Sequence, residues 1–390
     1  DSKDTCELTK IYVKTMQAMG HPYNPDFNSG NQRGVGYMQF TIDQGVRCNA
    51  TKAFLSNNKF KKFLTISTKS KATKIIFKND KAIGVEFYKN KIKNTVFANN
   101  EIILTAGSFN SPKLLMLSGI GNEEELKKHS IEKVFISEGV GQNLQDHHEV
   151  SVISKTKPGY GYFGQDKGLK MLKNIFQYLL FKEGPAATIG CDGCTFLNPD
   201  KTIKDYTEEP SIKLYCVPKV QLDKNVKDIG QFDGITLNSV LMRPKSRGEI
   251  KLKSSDPYDM PLLNPNYLNH EDDKRLQISA FKYSREILNT KPLNDIVINE
   301  VFPGEKVKTD EDILNHCKKS IKTNWHPVGT CKMGTNEDIN AVCDTNLRVK
   351  GVRGLRIFDA SSFPNLVAGN TNAPVIAFAL KAVTELINEY

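Results

Sequence analysis

The sequence of 390 residues lacks a long apolar run and lacks the basic elements that nucleic-acid-binding proteins use. No apolar stretch approaches the ~20 residues that a membrane-spanning helix requires. The formal net charge of +10 comes mostly from lysines that are spread along the chain. These lysines form no basic stripe with interleaved aromatic residues, and no Cys/His finger or Arg-rich arm is present. The sequence therefore predicts no membrane span and no nucleic-acid partner.

Paired metal-ligating motifs are also lacking. Of the eight cysteines, Cys191 and Cys194 form one C-x-x-C pair, and neither a second C-x-x-C pair nor an H-x3–5-H motif accompanies it. We therefore predict no metal site. An even cysteine count permits disulfides, and one N-glycosylation acceptor is present at Asn49-Ala-Thr51. Both features favour an extracellular, secreted protein. The chain begins at Asp1 rather than Met, so the lack of a signal peptide is uninformative.

Local patterns in the first part of the chain predict α/β structure. Residues 73–90 alternate between apolar and polar types around a turn at Asn79-Asp80, which predicts a β-hairpin. Residues 101–105 are apolar without alternation, as in a strand that is buried on both faces. Ser111 as N-cap and Pro112 as first helical residue predict a helix that ends near Gly119.

The second part of the chain changes character after residue 150. The patterns predict helices at 168–182 and 271–289, a strand at 211–218, and two antiparallel strands within 234–255 that are joined by a turn at 245–248. Residues 355–364 again resemble a buried strand, and the final helix has Asn370 or Thr371 as its cap. We therefore predict one discontinuous domain of residues 1–150 and 323–390, and a sheet-rich domain of residues 151–322.

The only Trp of the chain lies in the segment NWHPVGTCKMG, residues 324–334. The unperturbed pKa of His lies near neutrality, which suits His326 to general acid–base catalysis. A His beside Trp and Pro is more often a packed histidine that is hydrogen-bonded to a backbone carbonyl. This segment alone favours the packed histidine.

Five segments together change that interpretation, because they resemble the glucose–methanol–choline (GMC) oxidoreductases, which are FAD-dependent alcohol oxidases and dehydrogenases. The segment GSFNSPKLLMLSGIG at 107–121 is similar to a signature of this family, and GVGQNLQDH at 139–147 is similar to the segment that follows it. WHPVGTCKMG at 325–334 resembles the family's active-site stretch, and residues 355–387 resemble its last strand and helix. Residues 45–54 are similar to the insect glucose-dehydrogenase-like members.

The resemblance implies a fold and a reaction. The fold is α/β and α+β, with a Rossmann-like FAD-binding domain and a substrate domain that has an antiparallel sheet flanked by helices. The reaction is oxidation of the CH–OH group of an alcohol or sugar, with hydride transfer to flavin N5 and oxygen or a quinone as final acceptor. His326 falls on the catalytic base, and Asn372 on the position whose amide holds the substrate oxygen.

The resemblance also implies which residues contact the FAD. Asp359 would face the ribityl or pyrophosphate region, although a turn cap is the plain alternative for this residue. Asn143, Asp146 and His147 carry turn-forming chemistry, and we interpret them as structural. The full set of implied FAD contacts is Ala72, Thr105, Ala106, Gly107, Asp359, Ala360, Asn372 and Ala373.

One element of the family pattern is missing from the sequence. Family members begin with a strand, the phosphate-binding motif G-x-G-x-x-G and a helix, and no such motif is present here. The FAD-binding domain is therefore predicted to be incomplete, and the sequence is either a fragment or a truncated relative. Two other functions stay open: a redox-inert secreted binding protein without cofactor, and an enzyme similar to the hydroxynitrile lyases of the family.

Overall fold

A computed structural model describes residues 5–56, 61–200, 209–223 and 226–390 of the chain. The helices are α1 Glu7–Ala18, α2 Gly107–Leu117, α3 Glu123–Lys128, α4 Gly168–Phe181, α5 Glu271–Leu288, α6 Asp310–Ser320 and α7 Asn372–Glu389. Of the helices in these ranges, none combines the length and the apolar character that crossing a membrane would take.

The strands range from two to nine residues in length. In chain order they are β1 Gly34–Tyr37, β2 Ile42–Asp43, β3 Val46–Arg47, β4 Ser70–Lys78, β5 Lys81–Lys89, β6 Ile92–Phe97, β7 Ile102–Leu104, β8 Ile120–Gly121, β9 Phe135–Ile136, β10 His148–Thr156, β11 Gly193–Leu197, β12 Ile212–Val217, β13 Gly234–Leu241, β14 Glu249–Lys251, β15 Leu262–Asn264, β16 Val297–Phe302, β17 Lys322–Thr323 and β18 Leu355–Ile357.

The chain divides into two compact units. The first comprises the described parts of Asp1–Leu64, His148–Met242 and Glu271–Lys322, and the second comprises Thr65–His147, Arg243–His270 and Thr323–Tyr390. This grouping differs from the predicted boundaries, because the first 64 residues belong with the sheet-rich part and residues 243–270 belong with the other. The assignment of one part to FAD and the other to substrate stays a prediction.

The first unit is built on an antiparallel sheet with the strand order β1-β11-β12-β13-β10-β16. Strands β12 and β13 are buried along their whole length, which agrees with the apolar composition of the segments from which they were predicted. Helix α5 packs against β13 and β10, and α1 packs against β1, β11 and β12. The predicted helices at 168–182 and 271–289 are confirmed as α4 and α5, and an antiparallel sheet with helices is confirmed as part of the fold.

One predicted hairpin in this region is wrong. The segment 234–255 was expected to form two paired strands, but only β13 joins the large sheet. Strand β14 pairs instead with β15, with Ile250 opposite Leu263, and it belongs to the second unit. A strand pattern with a turn shows that two strands exist, but it does not show which partner each one takes.

The second unit contains the predicted hairpin and the predicted buried strands. Strands β4, β5 and β6 form an antiparallel sheet, and Asn79 occupies the left-handed region (φ 56°) in the turn between the first two. Strand β7 pairs in parallel with β18, so that Leu104 lies opposite Ile357. The chain therefore returns after about 250 residues to the strand that precedes α2.

Helix α2 begins one turn earlier than the sequence predicts. Its first residue is Gly107, so Ser111 is not its N-cap and Pro112 lies inside the helix. A proline has no N–H to donate to the carbonyl four residues before it, which here is that of Ser108. The Thr330 hydroxyl donates to this carbonyl at 2.7 Å, which compensates for the missing helical hydrogen bond.

Candidate active site

The backbone around His326 is held against residues 143–147 of the same unit. The Val328 N–H donates to the Gln145 carbonyl at 2.8 Å, and the Gln145 N–H donates to the Val328 carbonyl at 3.1 Å. On the other side of His326, the Asn324 N–H donates to the His147 carbonyl at 2.7 Å. The chain is therefore hydrogen-bonded on both sides of His326, which positions its side chain.

The Asp146 carboxylate lies at the centre of this arrangement. Its Oδ1 accepts the His326 backbone N–H at 2.9 Å, and its Oδ2 accepts the hydroxyls of Tyr267 at 2.6 Å and Thr323 at 2.5 Å. Burial raises the pKa of Asp146, while its hydrogen-bond donors act in the opposite direction. Burial and the neighbouring carboxylate also raise the pKa of the Tyr267 phenol, which therefore stays protonated and continues to donate.

The imidazole of His326 has a polar partner on each ring nitrogen. Its Nδ1 lies 3.0 Å from Nδ1 of His147, and the two rings meet at 87°. Its Nε2 lies 3.3 Å from Nδ2 of Asn370, which is exposed. His326 itself is 9% exposed. The ring is thus mostly buried, and its Nε2 lies on the side of an exposed amide.

Asn372 occupies a different place from the one its predicted role requires. It is the first residue of α7 and is exposed. The amide of Asn370, two residues earlier, lies within hydrogen-bond distance of His326. The predicted catalytic role of Asn372 stays a prediction, and the geometry makes Asn370 the better candidate.

The Asp359 carboxylate joins the end of β18 to the start of α2. Its Oδ2 accepts the Gly107 N–H at 2.9 Å and the Ser111 hydroxyl at 2.6 Å, and its Oδ1 accepts the Ser361 N–H at 2.8 Å. A carboxylate at a helix N-terminus satisfies an otherwise unpaired N–H and complements the helix dipole. Asp359 therefore has a capping role in this fold, and its predicted contact with FAD stays a prediction.

The other predicted FAD contacts lie at the starts of α2 and α7, in β4 and in a short 3-10 turn. Thr105 and Ala106 are exposed and precede α2, and Ala373 is exposed in the first turn of α7. Ala72 is exposed in β4, and Ala360 follows Asp359 in a short 3-10 turn. These positions also stay predictions.

Two observations on these elements fit a bound cofactor. Gly107 has a φ of 79°, and a Cβ placed on it would meet no atom within 4 Å, so the start of α2 is open to close approach. Among the residues that the structure describes, no side chain caps α7, which leaves the N–H groups of its first turn for another acceptor. Such N–H groups favour a partly negative carbonyl edge or an anion.

The sequence predicts turn roles for Asp146 and His147 and only a capping role for Asn370. In the structure all three contact His326. The segment GVGQNLQDH is the sequence signal for Asp146 and His147. The two closely spaced asparagines of Gly-Asn-Thr-Asn are the signal for Asn370.

Comparison with known proteins gives consistent results along the whole chain. Sequence models described as GMC oxidoreductase match residues 2–149 and 244–379. An alcohol dehydrogenase [acceptor] of Pseudomonas putida is 35% identical over 397 aligned residues, which cover 100% of this chain and 70% of the relative. An oxygen-dependent choline dehydrogenase of Brucella anthropi is 36% identical over 380 residues, covering 97% of this chain and 68% of the relative.

Solved structures show the same fold. A formate oxidase of Aspergillus oryzae superposes with a TM-score of 0.90 at 25% identity, covering 100% of this chain and 72% of that protein. The pyridoxine 4-oxidase of Mesorbium loti superposes with a TM-score of 0.87 at 25% identity, covering 100% of this chain and 71% of that protein. The insect-like detail of the predicted resemblance has no support among these matches.

Proposed function

The chain belongs to the GMC oxidoreductase family, and we propose that it is an FAD-dependent enzyme that oxidises the CH–OH group of a small alcohol. Relatives named alcohol dehydrogenase and choline dehydrogenase, at 35% and 36% identity, support this substrate class. A sugar is the alternative donor within the same chemistry. Oxygen or a quinone is the proposed final acceptor, and an extracellular location is proposed from the cysteine count and the glycosylation acceptor alone.

The observation that carries the proposal is the position of His326 Nε2 beside the Asn370 amide, 3.3 Å away. Removing a hydroxyl proton requires a base whose pKa lies near the working pH, and histidine meets that requirement. The Asn370 amide cannot act as a base, but its N–H groups can donate to the substrate oxygen. We therefore propose His326 as the base and Asn370 as the residue that positions the oxygen.

The chain's own residues can hold part of an FAD molecule. The N–H groups in the first turn of α7 would face the carbonyl edge of the ring, and the open backbone at Thr105, Ala106 and Gly107 would lie along the adenosine side. When bound, FAD supplies the hydride acceptor that no amino-acid side chain provides. The relevant chemistry of the protein itself is proton removal at His326 and alignment of the oxygen.

The first test is cofactor uptake followed by anaerobic reduction. The purified chain is incubated with FAD, desalted, and examined for the visible flavin spectrum. A primary alcohol, choline and glucose are then added separately without oxygen, and bleaching of the flavin band is followed. We expect FAD to be retained and at least one of these donors to bleach it.

Single substitutions test the role of His326 and distinguish the role of Asn370 from that of Asn372. We expect His326→Ala to slow bleaching by about 10²- to 10⁴-fold, which is the usual contribution of a general base. Asn370→Ala should slow it by about tenfold, the effect of one lost hydrogen bond. Asn372→Ala is the matched control and should have a smaller effect than Asn370→Ala. If Asn372→Ala slowed bleaching more than Asn370→Ala, the positioning role would belong to Asn372.

Three other outcomes would contradict the proposed function or the proposed role of His326. A chain that retains no FAD would not be an oxidase or dehydrogenase in this form, and a cofactor-less binding protein would become the better description. Conversion of a cyanohydrin to aldehyde and cyanide without any flavin bleaching would indicate a lyase. Unchanged bleaching in His326→Ala would remove this histidine from the reaction.

A further inference from the structure

His147 lies next to the proposed base, His326, and the proposed reaction gives it no role. It is fully buried, and its Nδ1 faces Nδ1 of His326 at 3.0 Å. Its position follows from the paired backbone, in which its carbonyl accepts the Asn324 N–H. A buried imidazole at hydrogen-bond distance from a second imidazole restricts where both rings carry their protons.

The contacts of His326 select one arrangement. The amide nitrogen of Asn370 carries only donors, so His326 Nε2 must accept and must be without a proton. The proton of a neutral His326 then lies on Nδ1 and is donated to His147. His147 Nδ1 must therefore accept, and its own proton lies on Nε2.

We propose that His147 is a positioning residue that holds His326 in the tautomer with a bare Nε2, so that Nε2 can take the substrate proton. This inference rests on the proposed role of His326 as base. His147 itself touches neither substrate nor cofactor in this scheme. It corresponds functionally to the carboxylate that orients the histidine in hydrolase triads, with a neutral imidazole as the acceptor.

Proton transfer to His326 breaks one bond and forms one bond. The substrate hydroxyl first takes the place of the Asn370 N–H at Nε2, because this nitrogen has one lone pair. The substrate O–H bond then breaks, an Nε2–H bond forms on His326, and the electron pair of the broken bond stays on the substrate oxygen, to which the Asn370 amide donates. His326 becomes an imidazolium whose Nδ1–H continues to donate to His147. The Asp146 carboxylate, which accepts the His326 backbone N–H at 2.9 Å, places a negative charge nearby. Both groups favour the protonated ring.

The test reads the tautomer directly, without cofactor or turnover. The protein is labelled with ¹⁵N-histidine, and long-range ¹H–¹⁵N correlation spectra distinguish protonated from bare ring nitrogens. His326→Gln assigns the signals of His326 by their disappearance. The chain has seven histidines, so few signals need assignment. We expect His326 in the unaltered protein to carry its proton on Nδ1.

Two variants of His147 separate positioning from packing. His147→Phe keeps a ring but has no acceptor for the Nδ1 proton. The exposed Asn370 amide can then turn its oxygen towards Nε2, so the proton of His326 should move to Nε2. His147→Asn offers a side-chain oxygen near the position of Nδ1 and should restore the original tautomer. His316→Phe is the matched control, because His316 packs edge-on against Phe281 and Phe302 in the other unit and its loss should leave the His326 signals unchanged.

In FAD-loaded protein, His147→Phe should slow anaerobic bleaching by about tenfold to a hundredfold, and His147→Asn should recover most of the rate. A His326 proton on Nε2 in the unaltered protein would overturn the inference, as would an unchanged tautomer in His147→Phe. If His147→Phe does not fold, the spectra of the unaltered protein and His147→Asn decide. If the tautomers behave as expected but no donor bleaches the flavin, the proposed function fails while the tautomer assignment stands.

Discussion

Replacing Asp359 by Asn tests whether this carboxylate stabilises the fold in the absence of cofactor. The carboxylate is 6% exposed and accepts hydrogen bonds from Gly107, Ser111 and Ser361. Asparagine has nearly the same shape, but it presents one oxygen and one NH₂ group. If the oxygen stays near Gly107 and Ser111, the NH₂ group faces the Ser361 N–H and that hydrogen bond is lost.

The magnitude follows from these three contacts. A lost hydrogen bond to a charged acceptor costs about 1.5–3 kcal/mol, and the two remaining bonds weaken when their acceptor becomes neutral. Relief from burying a charge offsets part of this loss. We therefore expect Asp359→Asn to lower the free energy of unfolding by about 2 kcal/mol.

The measurement is urea unfolding of the cofactor-free protein at neutral pH, followed by far-UV circular dichroism. Asp344→Asn is the matched control, because one oxygen of Asp344 accepts the N–H groups of Asn346 and Arg348 in a partly exposed turn, and asparagine keeps that oxygen. The other oxygen lies 3.9 Å from Nη1 of Arg348, and an ion pair this exposed contributes little to stability. This control should change stability by less than about 0.5 kcal/mol. An unfolding midpoint of Asp359→Asn equal to that of the unaltered protein would refute a capping role and favour a role in cofactor contact alone.

Two further predictions concern an ion pair and a glycine. Contact with Arg356 lowers the pKa of Glu389 from 4.5 to about 2, so its contribution to stability is complete above pH 4.5 and is lost as the pH falls towards 2. Thermal melts between these pH values should show a steeper loss in the unaltered protein than in Glu389→Gln, and equal slopes would contradict the pairing. Gly119→Ala should destabilise the protein more than Gly107→Ala. Both glycines have positive φ, but a Cβ on Gly119 would lie 2.4 Å from the Glu132 carbonyl oxygen, whereas a Cβ on Gly107 would meet no atom within 4 Å. Left-handed strain alone costs about 1–2 kcal/mol, so equal urea midpoints for the two variants would contradict the steric argument.

Much of the secondary structure follows from local sequence. The strands β7 and β12 and the helices α4 and α5 were predicted from periodicity and composition, and all four form. Their signals lie within one element, where an apolar run or a helical period is visible in ten to twenty residues. Strand partners are less visible, which is why β14 was assigned to the wrong pairing.

The start of α2 shows why helix ends are harder to predict. Ser111 and Pro112 are a sound start signal locally, yet the helix begins at Gly107. The groups that permit the earlier start are the Asp359 carboxylate and the Thr330 hydroxyl, more than 200 residues away in the sequence. Tertiary contacts therefore override a local preference that nearby residues alone would have satisfied.

Tertiary contacts likewise determine which residues act in the candidate site. The residue types and the segment around His326 identify a histidine with acid–base chemistry, but its partners depend on where two other segments lie in space. Asn370 and Asn372 are equivalent as isolated amides. They differ because α7 begins at Asn372, which leaves Asn370 in the loop beside His326. His147 likewise acquires its role only because residues 143–147 pair with the backbone on both sides of His326. The chemistry of the site is therefore visible in the composition of the motifs, while the identity of each acting residue depends on backbone pairing between segments that are distant in the chain.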